Sequence, residues 1–332
     1  MTTGEQERIY FIGGKFSFSY YHYYYSARKK KKTKTIYILI KGTGNTGAPA
    51  VKELLKNKIP VTVYARSPEK AQNLFSSLVA KDDLSSLLTI VQGDLDDLTP
   101  FEESIQGHTR LFLVAVDFQN YAKTVINITE KAYAAGIKQV VHISSIAVNN
   151  PWRTSYIGIM HRAAEEGILA IANRGSYVAL RPSRFMSNNI VFDRPSIQHA
   201  NVIADTSEPD TLQQWISNND IGIVAANIFK DPVEKHGDSV YELVGDFVTS
   251  ETRAKYFSQS LGRPITYVKQ TVEERYEILT KKVGLPHGPA FDLIHIRDGS
   301  PSENSTPGIS ILLGRQPETL EQWIKGNKDN FL

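Results

Sequence analysis

Short apolar runs alternate with helix-like stretches through the first half of the chain. Ile36, Ile38, Leu39 and Ile40 lie between Lys34 and Lys41, the pattern of a strand buried on both faces. Val61–Arg66, Leu88–Gln92, Leu111–Val116 and Val140–Ser145 repeat it. Between these runs, Ala48–Leu55 reads as a helix with Lys56 in its last turn. A second helix starts after Ser67, a suitable N-cap, with Pro68 in the first helical position. A third runs from Tyr121 to Ala135 and closes at Gly136. This alternation to about residue 180 predicts an α/β fold, a doubly wound parallel sheet with helices on both faces.

From about Phe185 the pattern becomes irregular. Thr249 or Ser250 is placed to N-cap a helix through Leu261, ended by Gly262. Ile265–Val268 reads as a strand, and Val272–Val283 as a helix closed by Gly284. Residues 286–307, rich in Pro, Gly, Ser and Asp, read as a mobile loop, and Trp323 on the last helix as a packing anchor. The predicted organisation is an extension over 1–34, a nucleotide-binding domain over 35–184, and a region over 185–332 that is mainly a smaller α/β substrate lobe, with segments returning to the first domain.

Composition narrows the function classes. The 332 residues are 41% hydrophobic and 22% charged, with a net charge of +3. The basic block Arg28–Lys34 supplies more than that excess, so the folded part offers no charge argument for nucleic-acid binding. The block follows the aromatic stretch Phe16–Tyr25. Together they read as a disordered extension, with nuclear import or an anionic surface as the functional alternative. Cysteine is absent, which excludes disulfides, a thiolate nucleophile and zinc–thiolate sites. No apolar run approaches the roughly 18 residues of a membrane span. A cytoplasmic location is expected, with the nucleus as an alternative.

The first strand runs into Gly42-Thr43-Gly44-Asn45-Thr46-Gly47, a G-x-G-x-x-G sequence with a helix behind it. Glycines there permit a tight turn and close approach of a pyrophosphate, and the helix start favours phosphate. Arg66 stands about 20 residues beyond the loop, where such folds meet the adenosine ribose. A carboxylate there would accept from a 2′-hydroxyl; an arginine, with Ser67 and Lys70 nearby, suits a 2′-phosphate. NADP(H) is therefore the preferred cofactor, with NAD(H) as an alternative, and a solvated strand-end arginine is the plainer reading. Asp94, after the third strand, is placed to accept from the adenine amino group or to cap the following helix.

The glycine loop, Val63–Arg66, Gly93-Asp94 and Val140–Ser145 together resemble the NmrA-like family of atypical short-chain dehydrogenases. Leu180-Arg181-Pro182, Phe185-Met186, Asn188-Asn189, Asn219–Ala225 and Tyr241–Gly245 extend the resemblance over roughly residues 35–331. It implies a Rossmann fold with a substrate lobe over the nicotinamide end. Ala115 and Ser144, at the ends of the fourth and fifth strands, complete the cofactor-binding candidates with Gly42–Gly47, Arg66 and Asp94.

Departures from the family pattern bear on catalysis. The family's first loop glycine falls on Lys41. Tyr156-Ile157-Gly158-Ile159-Met160 lacks the lysine of Tyr-x-x-x-Lys, and by register with Glu165 the lysine position of reductase relatives is His161. His161 and Tyr156 are the catalytic candidates: His161 as an acid or base or a ribose contact, against a helical histidine without chemistry, and Tyr156 as a hydroxyl donor, against a buried aromatic. His142, within a strand, reads as a core histidine. No metal-ligand spacing and no G-x-S-x-G elbow occur. Two functions stay open: an NADPH-dependent oxidoreductase of a small carbonyl or quinone-type acceptor, and a non-catalytic nucleotide sensor that regulates a protein partner such as a transcription factor.

Overall fold

Six successive strands line up side by side at the centre of the structure. They are β1 (Tyr37–Ile40), β2 (Val61–Ala65), β3 (Leu88–Gln92), β4 (Arg110–Leu113), β5 (Gln139–Ile143) and β6 (Ser176–Pro182). The computed structural model describes residues 37–40, 42–82, 84–115, 118–294 and 308–332. The aromatic and basic segment 1–34, Lys41 and residues 295–307 lie outside the described residues.

After β6 the chain forms β7 (Arg184–Phe185), β8 (Val202–Asp205) and β9 (Leu212–Ile216). It then returns to the main sheet with β10 (Val240–Leu243) and finishes its strands with β11 (Asp246–Thr249) and β12 (Thr266–Lys269). The main sheet has seven strands in the order β10-β6-β5-β4-β1-β2-β3, every pair parallel. The lobe carries a three-stranded sheet, β11-β9-β7, and a parallel pair, β12-β8.

Alternate strand residues feed two cores, as the two-residue period of a strand requires. Leu39, Val63, Phe112, Val141 and Val178 face α1 (Gly47–Lys56), α2 (Pro68–Asp82) and the helix Asn218–Lys230. Leu111, Leu113, Val140, Tyr177 and Ala179 face α3 (Thr99–Ser104), α4 (Tyr121–Ala134) and α5 (Tyr156–Leu169). Each large side chain fully removed from water contributes on the order of 1.5–3 kcal/mol. A third core, with Met186, Trp215, Phe257, Trp323 and Phe331, holds the lobe, so Trp323 is the packing anchor expected of it.

The helix Asn218–Lys230 crosses the start of α1 at close range. A Cβ at Gly222 would fall 2.6 Å from the Thr46 carbonyl oxygen and 2.8 Å from the Ala50 nitrogen. Only glycine allows this approach, which braces the turn leading into α1.

Several local signals act as read. Ser67 accepts from the Lys70 N–H at 3.2 Å ahead of Pro68. Thr249 caps its helix through the Thr252 N–H, and Gly262 closes it with φ +65°. Three expectations change. β4 stops at Leu113, because its ladder to β5 ends at the Leu113–His142 pair. The helix from Val272 widens after Glu277 into a π-turn over Ile278–Lys282, with Leu279 buried. The expected loop over 286–307 begins instead with a helix, His287–Ile294. Pro289 lies in its first turn, where a missing N–H costs nothing. No helix among the described residues is long and apolar enough to cross a membrane.

Candidate functional site

The cofactor-binding candidates all follow strands of the main sheet, on its carboxyl edge. Residues 42–46 follow β1, Arg66 follows β2, Asp94 follows β3, Ala115 follows β4 and Ser144 follows β5. The strand order reverses between β1 and β4, and the glycine loop lies at that switch point, where ligands of open α/β sheets bind.

At the start of α1 the Ala48 N–H donates to the Gly44 carbonyl at 2.9 Å and Pro49 has no N–H, but no side chain caps the turn. Thr46, at the N-cap position, makes no side-chain cap, and the first turn carries no acidic residue. The first N–H groups of a helix carry partial positive charge, and here no carboxylate competes for them. A Cβ at Gly42 would come within 3.0 Å of the Val63 side chain, so the loop lies tight against β2. Thr43 and Gly44 are half-buried and Asn45 is exposed. A turn free of carboxylates and held tight against β2 fits a dinucleotide pyrophosphate.

Arg66 is exposed at the end of β2, with no hydrogen bond or ion pair to another described residue. Lys70, Ser67 and Glu69 line an open hollow of about 530 Å³ beside it. Asp94 is half-buried. Its Oδ1 accepts from the N–H groups of Asp96 and Asp97 at 2.9 and 3.1 Å, and its carbonyl accepts from the Tyr64 hydroxyl at 2.9 Å. Asp94 thus closes the turn after β3 and does not cap the following helix as expected; Asp97 serves the N–H of Thr99 at the start of α3, because Asp94 lies five residues ahead of it. Ala115 is half-buried beyond β4.

At the other end of the edge, Ser144 is buried and donates to Glu165 Oε1 at 2.5 Å. Glu165, on α5, also receives Arg181 from β6, Nε to Oε1 at 3.0 Å and an Nη to Oε2 at 2.5 Å. A second Nη of Arg181 donates to Asn149 Oδ1 at 2.8 Å. The Ser144 hydroxyl is thus committed to a protein acceptor. Tyr156, at the first turn of α5, is 38% exposed rather than buried, and its hydroxyl donates to the Phe118 carbonyl at 2.5 Å.

His161 lies on the same helix, beside a buried chain of polar rings. His142 is fully buried with Nε2 2.9 Å from the Tyr121 hydroxyl and Nδ1 2.9 Å from the Tyr177 hydroxyl. Tyr121 donates its proton to the Ile143 carbonyl at 3.0 Å. Its oxygen therefore accepts from Nε2–H, and Tyr177 donates to Nδ1, a tautomer assigned from the network. His142 is a satisfied core histidine, as its strand pattern suggested. The His161 ring packs on Tyr121 with centroids 4.3 Å apart. Part of its side chain reaches the surface, yet Nδ1 is buried without a hydrogen-bond partner. Burial pushes the His161 imidazole down to about 3, and burial together with the neighbouring His161 does the same to His142. Both rings are neutral at physiological pH.

Sequence reasoning missed Tyr121, Tyr177 and Arg181 as members of this site. Only Arg181 left a signal, a charge within the apolar run of β6. Among the described residues no cluster of three or more His, Asp or Glu could hold a metal.

The sequence profile of an NAD(P)H-binding family matches residues 42–232, more than half of the chain. The chain belongs to this NAD(P)H-binding family. NADP(H) or NAD(H) is accordingly its cofactor class, and the NmrA-like resemblance agrees with it. A (4-alkanoyl-5-oxo-2,5-dihydrofuran-3-yl)methyl phosphate reductase from Streptomyces griseus is 25% identical, over 88% of this chain and 99% of that protein. Among solved structures, the NADPH complex of an NADPH-dependent quinone oxidoreductase from Escherichia coli has a TM-score of 0.69 at 23% identity, covering 88% of this chain and 99% of the other. The NAD complex of NmrA, a negative transcriptional regulator, has a TM-score of 0.67 at 16% identity, covering 91% and 99%. These structures share the Rossmann fold with this member of the NAD(P)H-binding family.

Proposed function

We propose that this chain is an NADPH-dependent reductase of a small carbonyl or quinone-type acceptor. One arrangement carries the reading: a helix start at the switch point with no side-chain cap and no carboxylate, and on the next strand's end a guanidinium, Arg66, that has no acidic partner among the described residues. Bound NADPH supplies the hydride. In this reading Gly42–Gly47 hold the pyrophosphate, and Arg66 with Lys70 holds the 2′-phosphate. Asp94, with Oδ1 committed to its turn, has Oδ2 for the adenine amino group. Ala115 and Ser144 line the nicotinamide half.

His161 meets the ligand, a ribose hydroxyl or the acceptor oxygen, through the part of its side chain that reaches the surface. A neutral imidazole orients through one hydrogen bond and does not deliver a proton as an imidazolium would. Tyr156 reaches an acceptor only by giving up its bond to Phe118. The streptomycete relative is a reductase and the Escherichia coli neighbour a quinone oxidoreductase, which supports the choice of reaction. The compartment in this reading is the cytoplasm, or the nucleus through the basic block Arg28–Lys34.

NADPH oxidation by the purified protein against a panel of quinones and aldehydes tests the reading. His161→Phe should lower turnover about tenfold, the loss of one orienting hydrogen bond of roughly 1–1.5 kcal/mol, and Tyr156→Phe should cost less, since that hydroxyl serves the Phe118 carbonyl. One observation favours the second reading, a sensor acting through a protein partner: the Ser144 and Tyr156 hydroxyls both serve protein acceptors, and α5 carries no lysine. Tight NADPH binding with no oxidation across the panel would select it.

A further inference from the structure

Two arginines and two aspartates pair inside the lobe, and a third arginine, Arg275, lies within electrostatic reach of both aspartates. Arg253 pairs with Asp193 at 2.7 Å, both nearly buried, and Arg184 lies 3.8 Å from Asp205. Each carboxylate therefore has its own guanidinium, and Arg275 is the third cation. Its charge reaches both sites. Burial pulls Asp205 up, but Arg184, Arg253 and Arg275 together hold it below the usual carboxylate range. At Asp193 burial outweighs Arg253 and Arg275 and raises it.

No carboxylate of its own helix pairs with Arg275. Its helical neighbours at three and four residues are Thr271, Val272, Ile278 and Leu279. Glu274 turns back to the Thr271 N–H at 3.0 Å, and Glu277 pairs with Lys281 at 2.8 Å. Glu273, two residues away, projects from another face. Among the described residues Arg275 has no ion-pair partner. Its half-buried guanidinium lies instead over the Phe192 ring, 5.9 Å from the centroid.

The position of this cation points to the ligand. Arg184 and β7 continue β6 beyond the carboxyl edge of the main sheet. The helix carrying Arg275 is joined to the helix His287–Ile294 by Tyr276, whose hydroxyl is 2.9 Å from His287 Nδ1. Asp292 of that second helix accepts from the Ser155 hydroxyl at 2.9 Å and the Ile157 N–H at 2.6 Å, at the start of α5. Arg275 thus belongs to the part of the lobe tied to the helix that bears His161. Val191, next to Phe192 in the chain, and Val272, one helical turn before Arg275, are 55% and 44% exposed, so exposed apolar side chains flank both members of the pair.

We propose that Arg275, seated on Phe192, recognises the anionic group of an amphiphilic acceptor: a carboxylate, sulfonate or phosphate carried on an apolar skeleton. The planar fork of a guanidinium matches the oxygens of all three, and partial burial strengthens the pairing. Calling that ligand the acceptor rests on the reductase reading; the anion site itself does not.

Calorimetric titration of the full chain with naphthalene-2-sulfonate and with neutral 2-naphthol, with and without NADP⁺, tests it. The parent should bind the sulfonate more tightly than the naphthol. Arg275→Gln should weaken the sulfonate about tenfold or more, the loss of one charge-assisted contact, and leave the naphthol unchanged. Arg275→Lys should retain part of the preference, and equal melting temperatures show that both variants are folded. No sulfonate binding by the parent, or equal sulfonate affinity in the parent and Arg275→Gln, overturns the anion site. Loss of NADP⁺ binding alone, with Arg275-dependent sulfonate binding intact, overturns the reductase reading and leaves the anion site standing.

Discussion

Arg181 donates to both oxygens of Glu165, joining β6 to α5 across an ion pair whose side chains are only 16% and 7% exposed. Glu165 also receives the Ser144 hydroxyl, so this one carboxylate fixes the ends of two strands against the helix that bears His161. Breaking such a pair strands a buried charge, which typically costs about 3–5 kcal/mol, whereas replacing both partners by apolar groups costs much less. Arg181→Leu should therefore lower the denaturant midpoint sharply, and Glu165→Leu/Arg181→Leu should recover a large part of the loss. A double variant as unstable as the single one would mean that the pair is not the source of the cost.

Gly222 carries a second prediction. A Cβ there meets the Thr46 carbonyl and the Ala50 nitrogen, so Gly222→Ala must push the returning helix off the start of α1. Overpacking of this kind costs about 1–3 kcal/mol. Because the displaced turn is the proposed pyrophosphate site, NADPH affinity should fall along with stability. Fluorescence titration and urea unfolding check both, and an unchanged affinity would separate this contact from the loop.

The buried histidines make stability depend on pH. Their folded values near 3 lie below the 6.5 of an exposed imidazole. Between these limits the unfolded chain binds protons that the folded chain does not, so stability falls as pH drops from about 6.5 toward 3. His161→Phe removes one of the two groups. Its melting temperature should decline less steeply than the parent's between pH ~6.5 and ~4.5. Identical slopes would show that His161 is already charged in the folded protein.

The parts legible in the sequence were those written in local chemistry. The glycine loop, the Ser67–Pro68 and Thr249 helix starts and the Gly136 and Gly262 ends depend on residues a few positions apart. The helix His287–Ile294 was hidden because Pro286, Gly288 and Pro289 read as breakers, although a proline is harmless in a first turn. Its tie to α5 runs from Asp292 to Ile157 across 135 residues, a distance no periodicity spans. Ser144 looked free to act because its partner Glu165 is distant in sequence. His161 was identified as a candidate by its position, but its unpartnered Nδ1 and its neutrality follow from the packing of Tyr121 and α4.

Arg66 tests the central claim most directly, because cofactor choice depends on this one exposed group. A charge-assisted contact to a 2′-phosphate is worth roughly 1.5–3 kcal/mol, and exposure places Arg66 at the low end, about tenfold in affinity. The preference should shrink as salt is added, since an exposed pair is screened. The measurement is calorimetry of NADPH and NADH binding to the parent and to Arg66→Ala at low ionic strength. The account predicts tighter binding of NADPH by the parent, a preference largely removed in Arg66→Ala, and NADH affinity nearly the same in both proteins. Equal affinities in the parent, or a preference that survives Arg66→Ala, would contradict it.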